Sequence, residues 1–182
     1  MPTLVHEFDW PDRVVVGTVG RPGSRTFYLQ VRSGPRIASV ALEKEQSALL
    51  AEKLDELLDQ LMADEGNRHS VPSGTPAELL DDEPLDQPVE EDFRTGAMRL
   101  SFDPRTAQVV LEAFPVVGGS DDEEETELPE PSEVLLVRIP VGTARAFADR
   151  TRRVVRAGRP PCPRCGRPVD EDGHDCAAPD GP

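Results

Sequence analysis

Two hydrophobic periods alternate along this chain. Residues 13–19 (RVVVGTV) and 37–42 (IASVAL) read as strands, and residues 26–32 (TFYLQVR), which alternate apolar and polar positions, read as another. Gly20-Arg-Pro-Gly-Ser24 and Ser33-Gly-Pro35 supply the turn chemistry between them. The period then changes. Leu50, Leu54, Leu57, Leu58 and Leu61 fall at helical spacing over 45–63, with Glu52, Asp55, Glu56 and Asp59 on the opposite face.

The same order returns after residue 96. Residues 97–102 and 108–114 predict a hairpin around the turn 103–106, residues 134–140 a third strand, and 143–157 a helix with Phe147, Thr151, Val154 and Val155 on one face. The pattern predicts an α+β fold: two βββα units forming antiparallel sheet, in one layer or two, covered by two helices. The two strand-to-helix junctions overlay at a constant shift. Val40, Leu42, Leu50, Ala51, Leu57 and Leu58 fall on Val137, Ile139, Phe147, Ala148, Val154 and Val155. This is either an internal repeat or the ordinary likeness of any strand followed by an amphipathic helix, since the hairpins upstream do not align at that shift.

Between the units, residues 64–96 lack a period. Pro72, Pro76, Pro84 and Pro88 and eight acids from Glu78 to Asp92 fill this stretch, and no Lys or Arg lies between Arg68 and Arg94. It predicts an acidic linker with one short helical turn near 76–80. A second acidic segment, 119–131, holds five consecutive acids from Asp121 to Glu125 and no apolar anchor, and is expected to be mobile. The linker differs, because Leu79, Leu80, Leu85, Val89 and Phe93 are spaced among its acids. Burial of such groups stabilises by roughly 1.5–3 kcal/mol each, so residues 84–94 are expected to dock.

Composition sharpens this picture. Hydrophobic residues make up 37% and aromatics only 4%, so the core must be aliphatic. The 182 residues suit one α+β domain over 1–157 and a tail over 158–182, disordered after about 177. No apolar run approaches the roughly 20 residues of a membrane helix, and no signal peptide is expected from the opening residues. All three cysteines lie in the tail, which fits a reduced, cytoplasmic setting and a metal.

The tail reads Cys162-Pro-Arg-Cys165-Gly, with His174 and Cys176 following. Two cysteines two residues apart bind one metal when the backbone makes a tight knuckle, and a glycine after the second permits the close amide-to-sulfur approach. Three thiolates and one imidazole are the donor set of a closed, structural zinc site, so Cys162, Cys165, His174 and Cys176 are the expected ligands.

Net charge is −15, yet nine arginines stand between 138 and 167 against one acid, Asp149. Arg145, Arg152, Arg153, Arg156, Arg159, Arg164 and Arg167 form a candidate basic surface. It is open to nucleic acid, to an acidic protein partner, or to neutralisation by the chain's own acidic segments. The absence of stacking aromatics there, Phe147 apart, favours the last two. His6 and His69 each stand alone, and there is no P-loop, G-x-G-x-x-G, G-x-S-x-G or EF-hand spacing, so no catalytic residue is nominated.

The opening His6-Glu-Phe-Asp-Trp-Pro-Asp-Arg13, the linker Pro84-Leu-Asp-Gln-Pro-Val-Glu-Glu-Asp-Phe-Arg94 and the tail Cys162-Pro-Arg-Cys165 resemble the high-GC bacterial domain-of-unknown-function 3090 family over nearly the whole chain. The resemblance implies a cytoplasmic protein with a zinc-ribbon-like end and carries no activity. It also implies that Asp86, Gln87, Val89 and Glu90 are more than spacer, docking across the sheet with Phe93 as anchor. The expected function is a non-enzymatic protein-binding or adaptor module with structural zinc, an unknown protein partner and no membrane. The alternatives are nucleic-acid binding through helix 143–157 and the knuckle, and an accessory subunit of an enzyme.

Overall fold

The computed structural model describes residues 3–21, 23–117, 132–157 and 162–165. Seven strands, β1 (Leu4–Asp9), β2 (Arg13–Val19), β3 (Thr26–Ser33), β4 (Arg36–Leu42), β5 (Phe93–Asp103), β6 (Gln108–Pro115) and β7 (Glu133–Pro140), form one sheet in the order β1-β7-β6-β5-β4-β3-β2. Helix α1 (Lys44–Ala63) follows β4 and α2 (Val141–Arg156) follows β7.

Alternation decides which face is core. Val14, Val16, Phe27, Leu29, Val31, Ala38, Val40 and Leu42 are buried on one face and are in register, Val16 opposite Leu29 and Leu29 opposite Val40. Val109, Leu111, Ala113, Leu135, Val137 and Ile139 extend that face through β6 and β7. Leu50, Leu54 and Leu58 of α1, with Ala144, Phe147 and Ala148 of α2, close the same core. Every position of the overlaid junctions therefore lies in or against one core, and the two βββα units stand side by side, joined at β4 and β5.

The expected antiparallel sheet is corrected in two places. The junction of β4 with β5 is parallel, because α1 and the linker cross over before β5 begins. Strand β1, absent from the sequence reading, adds parallel to β7. Only Phe8 of β1 is buried, so its six residues carry little hydrophobic signal.

Strands β1 and β2 are the two edges, yet only Trp10, Pro11 and Asp12 join them. Four Cα steps span about 14 Å at most. The sheet must therefore curl until its edges approach at that end. The Arg36 guanidinium of β4 bridges the approach by donating to Glu7 O of β1 (3.0 Å), while Trp10 N–H to Arg138 O (3.1 Å) and Asp12 N–H to Arg32 O (2.8 Å) prolong the β1–β7 and β2–β3 pairings into the connection. Helix α2 packs along β2 and against α1.

Candidate binding cleft and cysteine knuckle

Leaving α1, the linker runs as a strap. It first follows α2, where Pro72 O accepts Arg145 Nε at 2.9 Å and Thr75 Oγ1 donates to Asp149 Oδ2 at 3.0 Å. It then passes the edge of β2 and crosses the outer face of β2, β3 and β4. Leu85 is buried directly over Gly17, where an added Cβ would lie 2.6 Å from it; only glycine leaves room for that side chain. Asp86 and Gln30 bond reciprocally: Asp86 N–H to Gln30 Oε1 (2.8 Å) and Gln30 Nε2 to Asp86 O (3.1 Å). Ser39 and Asp92 do likewise, with Asp92 N–H to Ser39 O at 2.8 Å and Ser39 N–H to Asp92 Oδ2 at 2.9 Å. An irregular segment cannot pair as a regular strand, so the Gln30 side chain and the Ser39 carbonyl satisfy strap backbone groups, and the Asp92 side chain accepts from the sheet in return.

Arginines hold the strap to the body. Arg150, 7% exposed, donates Nε to Val16 O (3.1 Å), one terminal nitrogen to Asp81 O (2.6 Å) and Oδ1 (3.2 Å), and the other to Glu83 O (2.7 Å). Arg13 donates to both Asp81 oxygens at 2.7 and 3.0 Å, and Arg32 to both Asp86 oxygens at 3.0 Å. Asp81 is held below the usual carboxylate range by the Arg13 hydrogen bond, opposed by its own burial. Burial lowers the Arg150 guanidinium and Asp81 only partly offsets this, whereas the shallower Arg13 is raised by its bond to Asp81.

Between strap, α2 and the β2 edge opens a cleft of about 940 Å³. It is lined by the run Pro11 to Val15, by Leu79 and Leu80 of the strap, and by Ala146, Arg150 and Arg153 of α2. Leu79 and Leu80 are 36% and 55% exposed.

Three residues of the predicted basic surface, Arg145, Arg152 and Arg153, pair with the chain's own acids. Arg145 is buried, with Asp55 and Asp59 of α1 each at 3.0 Å. Arg152 pairs with Asp55 and Asp149, and Arg153 with Asp82 and Asp149. Arg156 is exposed at the end of α2. Arg164 lies in the knuckle turn, while Arg159 and Arg167 fall outside the described residues. Of the linker residues nominated from sequence, Asp86 and Phe93 are anchored, Val89 is half-buried, and Gln87 and Glu90 are exposed. The expected mobile segment 119–131 and the end after 177 lie outside the described residues.

Sequence reasoning missed Arg13, Arg32, Arg150 and Gln30. A signal existed: a linker with many acids and no base between Arg68 and Arg94 must find its counter-charges elsewhere in the chain. Its location was not legible, because Arg13 and Arg150 lie 68 and 69 residues from Asp81.

His6 pairs with Glu133 at 2.9 Å and His69 sits edge-on to Phe102, so neither meets a nucleophile among the described residues. Cys162 is buried, residues 163–165 form a turn, and the Arg164 amide donates to Cys162 Sγ at 3.4 Å. That amide-to-sulfur bond is the geometry in which a metal-binding knuckle stabilises thiolate charge. His174 and Cys176 fall outside the described residues, and among those described no three donors gather. No helix is long and apolar enough to cross a membrane among the residues described.

These features define a mixed-sheet α+β protein with a strap, a polar cleft and a Cys-x-x-Cys turn. The chain belongs to the family described as protein of unknown function (DUF3090), whose model matches residues 6–176. No curated protein and no solved structure matches it.

Proposed function

We propose that the protein is a non-enzymatic protein-binding module of the cytoplasm whose C-terminal knuckle is ordered by zinc. The observation that carries this reading is the Arg164 amide directed at the buried Cys162 sulfur. Cys162 and Cys165 would supply half of a closed ligand set, with His174 and Cys176 completing it. Zinc held by four protein ligands organises a fold and leaves no position for a reacting water. The commitment of Arg145, Arg152 and Arg153 to Asp55, Asp59, Asp82 and Asp149 supports neutralisation of the basic helix over nucleic-acid binding. The test is affinity capture from native cytoplasm with the full chain and with Cys162→Ser/Cys165→Ser. Partners retained by the wild type and lost with the metal would support the module; identical capture by both would remove the knuckle from the function.

A further inference from the structure

Edge strands with free backbone groups recruit other strands unless something covers them. Strand β2 is covered unevenly. The bond from Arg150 to Val16 O shows that the carbonyl of Val16 points away from β3. In an antiparallel strand the outward groups recur every second residue, so the N–H and C=O of Val14 point outward too. Val14, 7% exposed, lines the cleft two residues upstream of the carbonyl that Arg150 occupies.

The surroundings are chemically selective. Leu79 and Leu80 present exposed apolar surface on one wall. The arginines of the cleft, Arg13, Arg32, Arg150 and Arg153, are spent on Asp81, Asp82 and Asp86. The cleft also holds Asp12, Glu78 and Glu83, whose carboxylates meet no arginine among the described residues. Its uncompensated charge is therefore negative.

Resting on the protein-binding reading, we propose that this cleft takes an extended segment of a partner protein in which apolar and basic side chains alternate. Its backbone would add to β2 at Val14. Alternate side chains of an added strand point to opposite sides, so one set would meet Leu79 and Leu80 and the other the acids.

The probe is a fluorescein-labelled peptide of about seven residues alternating Leu and Arg, matched by one alternating Leu and Glu. We expect saturable binding of the basic peptide to the full chain, with the Val14 and Val15 amide signals moving, and none of the acidic peptide. Leu80→Asp and Glu78→Lys/Glu83→Lys should each weaken binding by about tenfold or more, whereas Glu52→Lys/Glu65→Lys, the same charge change elsewhere, should alter it less than about twofold. Equal loss in both double variants, or no saturable binding, would overturn the assignment. A partner captured by the wild type but indifferent to Leu80→Asp would also overturn it, while leaving the module reading in place.

Discussion

The Nε of Arg150 donates to the backbone carbonyl of Val16 at 3.1 Å, so one side chain of α2 stops the open edge of β2. The same guanidinium holds Asp81 O and Glu83 O, and so fixes helix, sheet and strap to one another. Removing it would leave the buried carbonyl of Val16 without this donor, which costs more than the bond contributes net, whereas Glu83 O would keep Arg13 as a donor at 2.8 Å. We predict that Arg150→Met lowers stability by roughly 2–4 kcal/mol, measured by denaturant unfolding. Arg150→Lys should recover only part of the loss, because an ammonium cannot span the three carbonyls as the planar fork does.

Leu85 and Gly17 offer a test of the strap by packing alone. Gly17→Ala places a methyl on Leu85 and should cost roughly 1–3 kcal/mol. In a Leu85→Ala background the same change should cost under about 0.5 kcal/mol, since its partner is gone. Additive losses across this double-mutant cycle would mean that the strap does not lie over β2.

Much of the fold was legible because its strands and helices bury one face. Val14, Val16, Leu29, Val31 and Val40 alternate, and Leu50, Leu54 and Leu58 keep a helical step. Strand β1 was hidden because its backbone bonds to β7, and not its side chains, hold it. The parallel junction was hidden because it consists of two residue pairs, Val40 with Phe93 and Ala41 with Arg94. Leu85, one of the apolar residues spaced among the linker's acids, is buried, whereas Phe93, read as linker, opens β5, which begins four residues before the expected strand. The linker's strongest anchors were not legible, because Asp81 and Asp86 meet arginines remote in sequence.

Asp81 sets a pH dependence. Its folded carboxyl sits below the ordinary value because ionised Asp81 accepts from Arg13 and Arg150. A depressed carboxylate stabilises fully above the unfolded value, about 4, and loses that contribution as pH falls through the folded one. Stability measured from neutral pH downward should therefore begin to drop near pH 4, and Asp81→Asn should be less stable at neutral pH with a shallower acid decline. An Asp81→Asn curve parallel to the wild type would show that this carboxyl is not coupled to folding.

Zinc at the C-terminal knuckle is open to direct test. The Cys162 knuckle brings an amide to sulfur, and the sequence beyond it supplies His174 and Cys176. Elemental analysis of purified wild type against Cys165→Ser is the most direct measurement. We expect about one zinc per wild-type chain and far less in the variant, as a closed four-ligand site requires. Equal, negligible zinc in both would contradict it.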